Sequence, residues 1–173
     1  MLAIIHISAY IDSRGMQPIV MNFPVEKLIK AAEVARDWAY APYSKFRVGA
    51  AIITKDGRYY TGCNIENASY SLTCCAERVA LFKAVSDGER DLEAIAVTAG
   101  TEEYCTPCGA CRQALAEFGS EIKVLMANKQ GDYLVRTVAE LLPAAFKLAN
   151  PDQVPVASAD QKTLTKLIEP VNR

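Results

Sequence analysis

Five of the six cysteines fall at two points in the chain: Cys74 and Cys75 side by side, and Cys105, Cys108 and Cys111 at intervals of three. Each group stands where a run with helical spacing begins. Cys75, Val79 and Phe82 recur at i, i+4 and i+7, with Gly88 placed to stop the helix near Ser86; Gly109 to Phe118 forms a second such run, closed by Gly119. A fold that uses these thiols together must bring two helix N-termini to one place. The positive end of a helix dipole favours the thiolate, which is the form that binds metal. Tetrahedral zinc suits such a set, taking two ligands from one turn and the rest from elsewhere. A lone Cys-x-x-Cys pair reads equally well as two small buried apolar side chains. Five cysteines at two helix starts weigh against that. Spacing alone leaves open whether Cys74 or Cys75 binds, and which two of the downstream three join it.

Two neighbours of Cys75 bear on the chemistry. Glu77, taken by itself, is a first-turn acid favoured by the dipole. Beside a zinc with three protein ligands, whose fourth position holds a water of lowered pKa, the same carboxylate can relay protons. Three thiolates outweigh the dication by one negative charge and weaken it as a Lewis acid. Arg78 can offset that by donating to thiolate sulfurs; otherwise it reads as a solvated helix arginine.

The rest of the chain builds a scaffold for these helices. Pro24 suits a first helical turn, and Val25, Leu28, Ile29, Ala32 and Ala35 follow it at helical spacing. Arg47 to Thr54 and Arg58 to Glu66 read as strands joined at Lys55-Asp56-Gly57, an Asp-Gly turn. Glu93 to Thr98, Glu121 to Asn128 and Tyr133 to Val138 read as further strands, and a short helix precedes Pro143. The βαβαβ alternation predicts an α/β fold with parallel strand pairs and helices on the sheet faces. With 51% hydrophobic residues in 173, one domain with a real core is expected. Residues 1–22 carry little pattern and read as a flexible N-terminal extension, with Met16 and Met21 as alternative starts; 23–149 form the domain, and 150–173 read as a loose tail.

Charge and composition exclude several functions. Nineteen basic residues against twenty acidic ones, with no Lys/Arg block, argue against a nucleic-acid surface. No apolar run is long enough to span a membrane. The opening segment lacks the basic region of a secretory signal, so the protein reads as cytoplasmic, where cysteines are thiols or metal ligands. The single histidine, His6, lies in the extension, so a Cys/His or Ser/His nucleophile system has no histidine in the domain.

Cys75-Ala76-Glu77-Arg78 followed by Pro107-Cys108-Gly109-Ala110-Cys111-Arg112-Gln113 resembles the homotetrameric zinc-dependent cytidine deaminases, whose signature carries His or Cys as first ligand. Tyr40-Ala41-Pro42-Tyr43-Ser44-Lys45-Phe46, Gly62-Cys63-Asn64-Ile65-Glu66-Asn67-Ala68 and Leu141-Leu142-Pro143 through Phe146 extend the resemblance in order over about Val25 to Ala149. It implies a three-layer α/β/α fold with a mixed central sheet of about five strands, and one Zn²⁺ per subunit on Cys75, Cys108 and Cys111. Cys63, Cys74 and Cys105 are then not ligands. It implies Glu77 as proton shuttle and Arg78 as the donor to ligand sulfurs. Phe46 is implied as an aromatic wall for the pyrimidine, the Ala76 backbone as a contact to the base, and Asn64 and Glu66 as partners of the ribose. Tyr70 and Phe146 are implied to approach a neighbouring subunit's site in a homotetramer with shared active sites. The implied reaction is hydrolysis of cytidine and 2'-deoxycytidine to uridine and 2'-deoxyuridine, as in pyrimidine salvage, with Glu77 serving N3 and then the departing amino group. Arg78 separates the chain from the blasticidin-deaminating relatives, which lack it. Two other classes compete on the cysteines alone: an iron–sulfur protein, and a binding module with a closed four-cysteine zinc.

Overall fold

The computed structural model describes residues 6–12 and 15–148, with side chains from Met21 onward. The expected loose tail, 150–173, lies outside the described residues. The first segment, expected as an N-terminal extension, carries two strands among its described residues. They pair as an antiparallel hairpin of β1 (His6–Asp12) and β2 (Gly15–Met21). Ile7, Ile11, Ile19 and Val20 favour extended backbone. Pro18, opposite Ala9, is tolerated because both strands of a two-stranded sheet are edges.

The domain proper follows as α1 (Val25–Arg36), β3 (Gly49–Thr54), β4 (Tyr59–Cys63), a 3₁₀ turn (Tyr70–Leu72), α2 (Ala76–Ser86), β5 (Leu92–Thr98), α3 (Gly109–Ala116), β6 (Lys123–Ala127), β7 (Tyr133–Thr137) and α4 (Val138–Leu141). The sheet order is β4-β3-β5-β6-β7. β5 and β6, joined through α3, run parallel; β3 is antiparallel to both β4 and β5, and β6 to β7. The mixed five-stranded sheet is therefore as expected, with fewer parallel pairs than the βαβαβ alternation predicts. The second strand of the hairpin also stops at Cys63, short of Glu66.

Both faces of the sheet are covered, so strand residues are apolar on both sides and alternate between two cores. Ala51, Ile53, Ala94, Ala96, Leu125 and Ala127 pack with Leu28, Ile29 and Ala32 of α1. Their neighbours Ala50, Ile52, Ile95, Val97, Val124 and Met126 pack with Ala80, Leu81 and Ala84 of α2 and Leu115 of α3. This makes the three-layer α/β/α architecture. α1 buries the five positions that the sequence pattern marks. α2 does not bury the face expected of it: Phe82 is 51% exposed, and Ala76, Glu77, Ala80, Leu81 and Ala84 turn inward. The helix is apolar on nearly every side, so periodicity does not select a face. Close approach does.

Gly62 decides that approach. A Cβ on it would lie 2.4 Å from the Ala80 nitrogen and 2.6 Å from the Ala76 carbonyl oxygen. Only a glycine on β4 facing the alanines of α2 lets the helix lie this low on the sheet, which sets the height of Cys75 and Glu77. Gly62→Ala is expected to lower stability by about 1–3 kcal/mol, the usual cost of overpacking, read as a fall in thermal midpoint. An unchanged midpoint would show that α2 is not seated by this contact.

Candidate active site

The site forms where α2 and α3 begin. Cys75 is the N-cap of α2 and Cys108 the N-cap of α3, and Cys111 lies in the first turn of α3. The Cys75 and Cys108 sulfurs are 3.9 Å apart, those of Cys108 and Cys111 3.5 Å, and all three lie within 4.8 Å of one another. These separations bracket the edge of a tetrahedron with metal–sulfur bonds of about 2.3 Å, roughly 3.8 Å. Cys111 is fully buried, Cys75 half-buried and Cys108 exposed. Cys74 and Cys105 stand outside the trio, so among the described residues it has no fourth cysteine, histidine or carboxylate ligand. That geometry disfavours the four-cysteine readings, an iron–sulfur cluster or a closed structural zinc, and leaves a coordination position open.

The charges around the trio fit a dication. A hydrogen bond from Cys111 holds the Cys75 thiol down at about 5, with Arg78 and Cys108 acting in the same sense against burial. The same bond and burial push Cys111 up. Three sulfurs this close carry their full negative charge only when a cation sits among them. Burial raises both Cys74 and Cys105, the latter to about 12, which keeps them as neutral thiols. Arg78 donates from Nη2 to the Thr73 carbonyl (3.2 Å) and to Cys75 Sγ (3.7 Å), and the thiol contact raises its own pKa. Its Nε is buried without a partner. An unsatisfied donor beside a thiolate cluster is the offset that three sulfur ligands require. Zinc therefore fits Cys75, Cys108 and Cys111.

Glu77 is 5% exposed in the first turn of α2. Burial raises its pKa and the charge of Cys75 adds to the effect, while hydrogen bonds from its own backbone amide and from Cys111 oppose it. A buried carboxyl whose pKa is raised is suited to carrying a proton both ways.

Two loops meet beside this centre. Ile65 bridges to Tyr40 on one side and Cys74 on the other, tying residues 40–46, 64–66 and the start of α2 together. A cleft of about 410 Å³ lies there, lined by Tyr43, Ser44, Glu66, Tyr70 and Thr73. A hollow of about 480 Å³ at the N-terminal end of α1, lined by Lys27, Tyr59 and Glu93 among others, holds none of these groups.

Other expected residues are placed as follows. Ala76 is buried directly after Cys75. Asn64 is 8% exposed and accepts from the Val48 amide while donating to the Phe46 carbonyl, each at 2.8 Å. Glu66 accepts from the amides of Tyr43 (2.8 Å) and Ser44 (3.2 Å) and from the Ser44 hydroxyl. Both residues expected to face a ribose thus also hold the 43–48 segment. Phe46 is half-exposed; Tyr70 and Phe146 are 76% and 68% exposed and turn outward. The backbone of Phe146 is clamped to α3 by the Gln113 side chain, which donates to its carbonyl (2.9 Å) and accepts from its amide (3.2 Å).

Sequence reasoning assigned no role to Ser44, Thr73 or Gln113, nor to Arg112, which donates to Pro107 O (2.8 Å) and Leu141 O (2.9 Å) and so braces the loop carrying Cys108. Hydrogen bonds between distant segments leave no periodicity to read. Only the excess of polar residues between apolar runs marks such positions.

An α/β/α fold that presents three thiols and a buried carboxylate at two helix N-termini is the scaffold of a mononuclear metal enzyme. Comparison with known proteins narrows this. The family model of the cytidine and deoxycytidylate deaminase zinc-binding region matches residues 24–127. A cytidine deaminase from Sporosarcina psychrophila is 58% identical over 123 residues, 70% of this chain and 90% of its own length. One from Halalkalibacterium halodurans is 58% identical over 122 residues, covering 70% and 92%. The 1.6 Å crystal structure of cytidine deaminase from Burkholderia pseudomallei superposes with a TM-score of 0.68 at 52% identity, covering 69% of this chain and 97% of that one. The chain belongs to the zinc-binding cytidine deaminase family.

Proposed function

We propose that the protein hydrolyses cytidine and 2'-deoxycytidine to uridine and 2'-deoxyuridine, consuming one water and releasing one ammonia. The observation that carries this reading is the buried carboxyl of Glu77 against a three-thiol metal site with an open position. Zinc on Cys75, Cys108 and Cys111 would supply Lewis acidity and a water of lowered pKa. Glu77 takes one proton from the attacking water and delivers it to N3 of the pyrimidine; it then takes the second from the hydroxyl now on C4 and passes it to the 4-amino group, which leaves as ammonia as the C4 carbonyl forms. Arg78 draws charge from Cys75 and keeps the site electrophilic. The Phe46 ring walls the base and the Ala76 backbone contacts it. Asn64 and Glu66 receive the ribose: the loop occupies three of about four acceptor sites on the carboxylate, leaving one for a hydroxyl.

The catalytic unit on this reading spans 23–149, and it works as a homotetramer in which Tyr70 and Phe146 reach a neighbour's site. Leu72, Phe82 and Leu148 are exposed along with them, and a second copy of the chain would cover apolar side chains of this kind. A cytoplasmic location agrees with six unpaired cysteines. The decisive experiment follows the loss of cytidine ultraviolet absorbance and the release of ammonia, with sedimentation of the same sample. Uridine and ammonia in equal amounts from a tetramer are expected. Zinc-replete protein without turnover would overturn the substrate, and a fully active monomer would overturn the shared site.

A further inference from the structure

We infer that Ser44 is a positioning residue for the pyrimidine, acting through the backbone of Phe46. The inference rests on the deaminase reading above, in which Phe46 walls the base. The Phe46 ring is half-exposed, so packing within the subunit does not fix it. Its backbone is fixed instead at both ends of the residue. The Phe46 amide donates to Ser44 Oγ at 3.0 Å, and its carbonyl accepts from Asn64 Nδ2 at 2.8 Å. Ser44 Oγ in turn donates to Glu66 Oε1, while Glu66 Oε2 accepts from the Tyr43 and Ser44 amides. A hydroxyl is needed at this point because it must accept from an amide and donate to a carboxylate at once, which no aliphatic side chain does. Lys45, between the two, has φ 60°, a left-handed conformation uncommon for a residue with a side chain. Such a conformation persists where the surroundings over-determine it, and here the Glu66–Ser44–Phe46 relay, with the Lys45 amide on Ala41 O (3.1 Å), does so. The hydrogen bonds from Ser44 and the loop amides also hold the Glu66 carboxyl below its ordinary range, so the anion that anchors the relay is present at neutral pH.

The test compares Ser44→Ala and Ser44→Thr with the wild type. In Ser44→Ala the KM for cytidine is expected to rise about tenfold, with kcat within twofold and zinc still at one per chain, and Ser44→Thr, which keeps the hydroxyl, is expected to recover most of the loss. The same tenfold penalty is expected with 2',3'-dideoxycytidine, because positioning acts on the base. A penalty that vanishes with that analogue would mean a direct contact from Ser44 to the sugar and would overturn the inference. So would equal losses in KM, kcat and zinc content, the pattern of a general loss of structure. Amide hydrogen exchange at Tyr43 and Phe46, expected about tenfold faster in Ser44→Ala, needs no turnover. It decides the relay even if wild-type protein leaves cytidine untouched, the result that would sink the deaminase reading instead; unchanged exchange at both amides overturns the relay.

Discussion

Glu77→Gln is expected to lower kcat for cytidine by a factor on the order of 10³ to 10⁴, the upper part of the range for removing a general acid–base group. Two protons must be handled in the reaction, one to N3 and one to the leaving amino group, and Glu77 is the buried carboxyl in the first turn of α2, two residues after Cys75. Glutamine preserves volume and the ability to hydrogen-bond but takes up no proton at neutral pH. Because Glu77 is 5% exposed and belongs to the core face of α2, truncation to alanine would mix a packing loss with a chemical one. Glutamine separates them. The thermal midpoint should move by no more than about 3 °C, corresponding to less than about 1.5 kcal/mol for a chain of this size, and zinc should remain at one per chain. Retained kcat in a zinc-replete Glu77→Gln protein would remove Glu77 from the mechanism.

Cys111→Ser carries an equally large expectation. Cys111 is the buried member of the trio, and its sulfur lies 3.5 Å from that of Cys108. Removing it leaves two thiols facing a divalent ion, too few for a tetrahedral site that also holds an open position. Zinc content is expected to fall from one per chain to below about 0.1, with deamination lost. Stability falls with it, because metal that binds only the folded chain contributes its binding free energy to folding. Chelation of the wild type should reproduce this loss, and added zinc should reverse it in the wild type alone. Cys74→Ser and Cys105→Ser are the controls: both sulfurs lie outside the cluster, and both proteins should keep their zinc. Zinc loss in either would mean that the ligand set has been misassigned.

The elements that the sequence made legible are those with a local cause. α1 appears at its predicted start because Pro24 opens a run with a clean apolar stripe, and the β3–β4 turn falls at Asp56-Gly57, where Gly57 takes φ 89°. The hairpin of β1 and β2 was not legible, since short β-branched runs interrupted by Pro18 do not alternate cleanly. The buried face of α2 was misjudged because an apolar residue on every side makes the period uninformative. What selects the face is a glycine fourteen positions upstream of the first helical residue, in a strand beneath the helix.

By itself the sequence determined which residue types were available and where helices could begin: thiols at two helix N-termini, a carboxylate in the first turn, an arginine after it. Which three of five nearby thiols form a cluster was set by tertiary structure, through the seating of α2 on Gly62 and the passage of the chain from β5 into α3. The same holds for Glu66 and Asn64. Their chemistry is plain in the sequence, but a carboxylate accepts wherever donors converge, and it is the closure of residues 40–46 against 64–66 that gives Glu66 to Ser44 and Tyr43 before any ligand arrives. Hydrogen-bond capacity is a property of the residue. How that capacity is divided between fold and ligand depends on which distant segments the sheet and helices bring within reach.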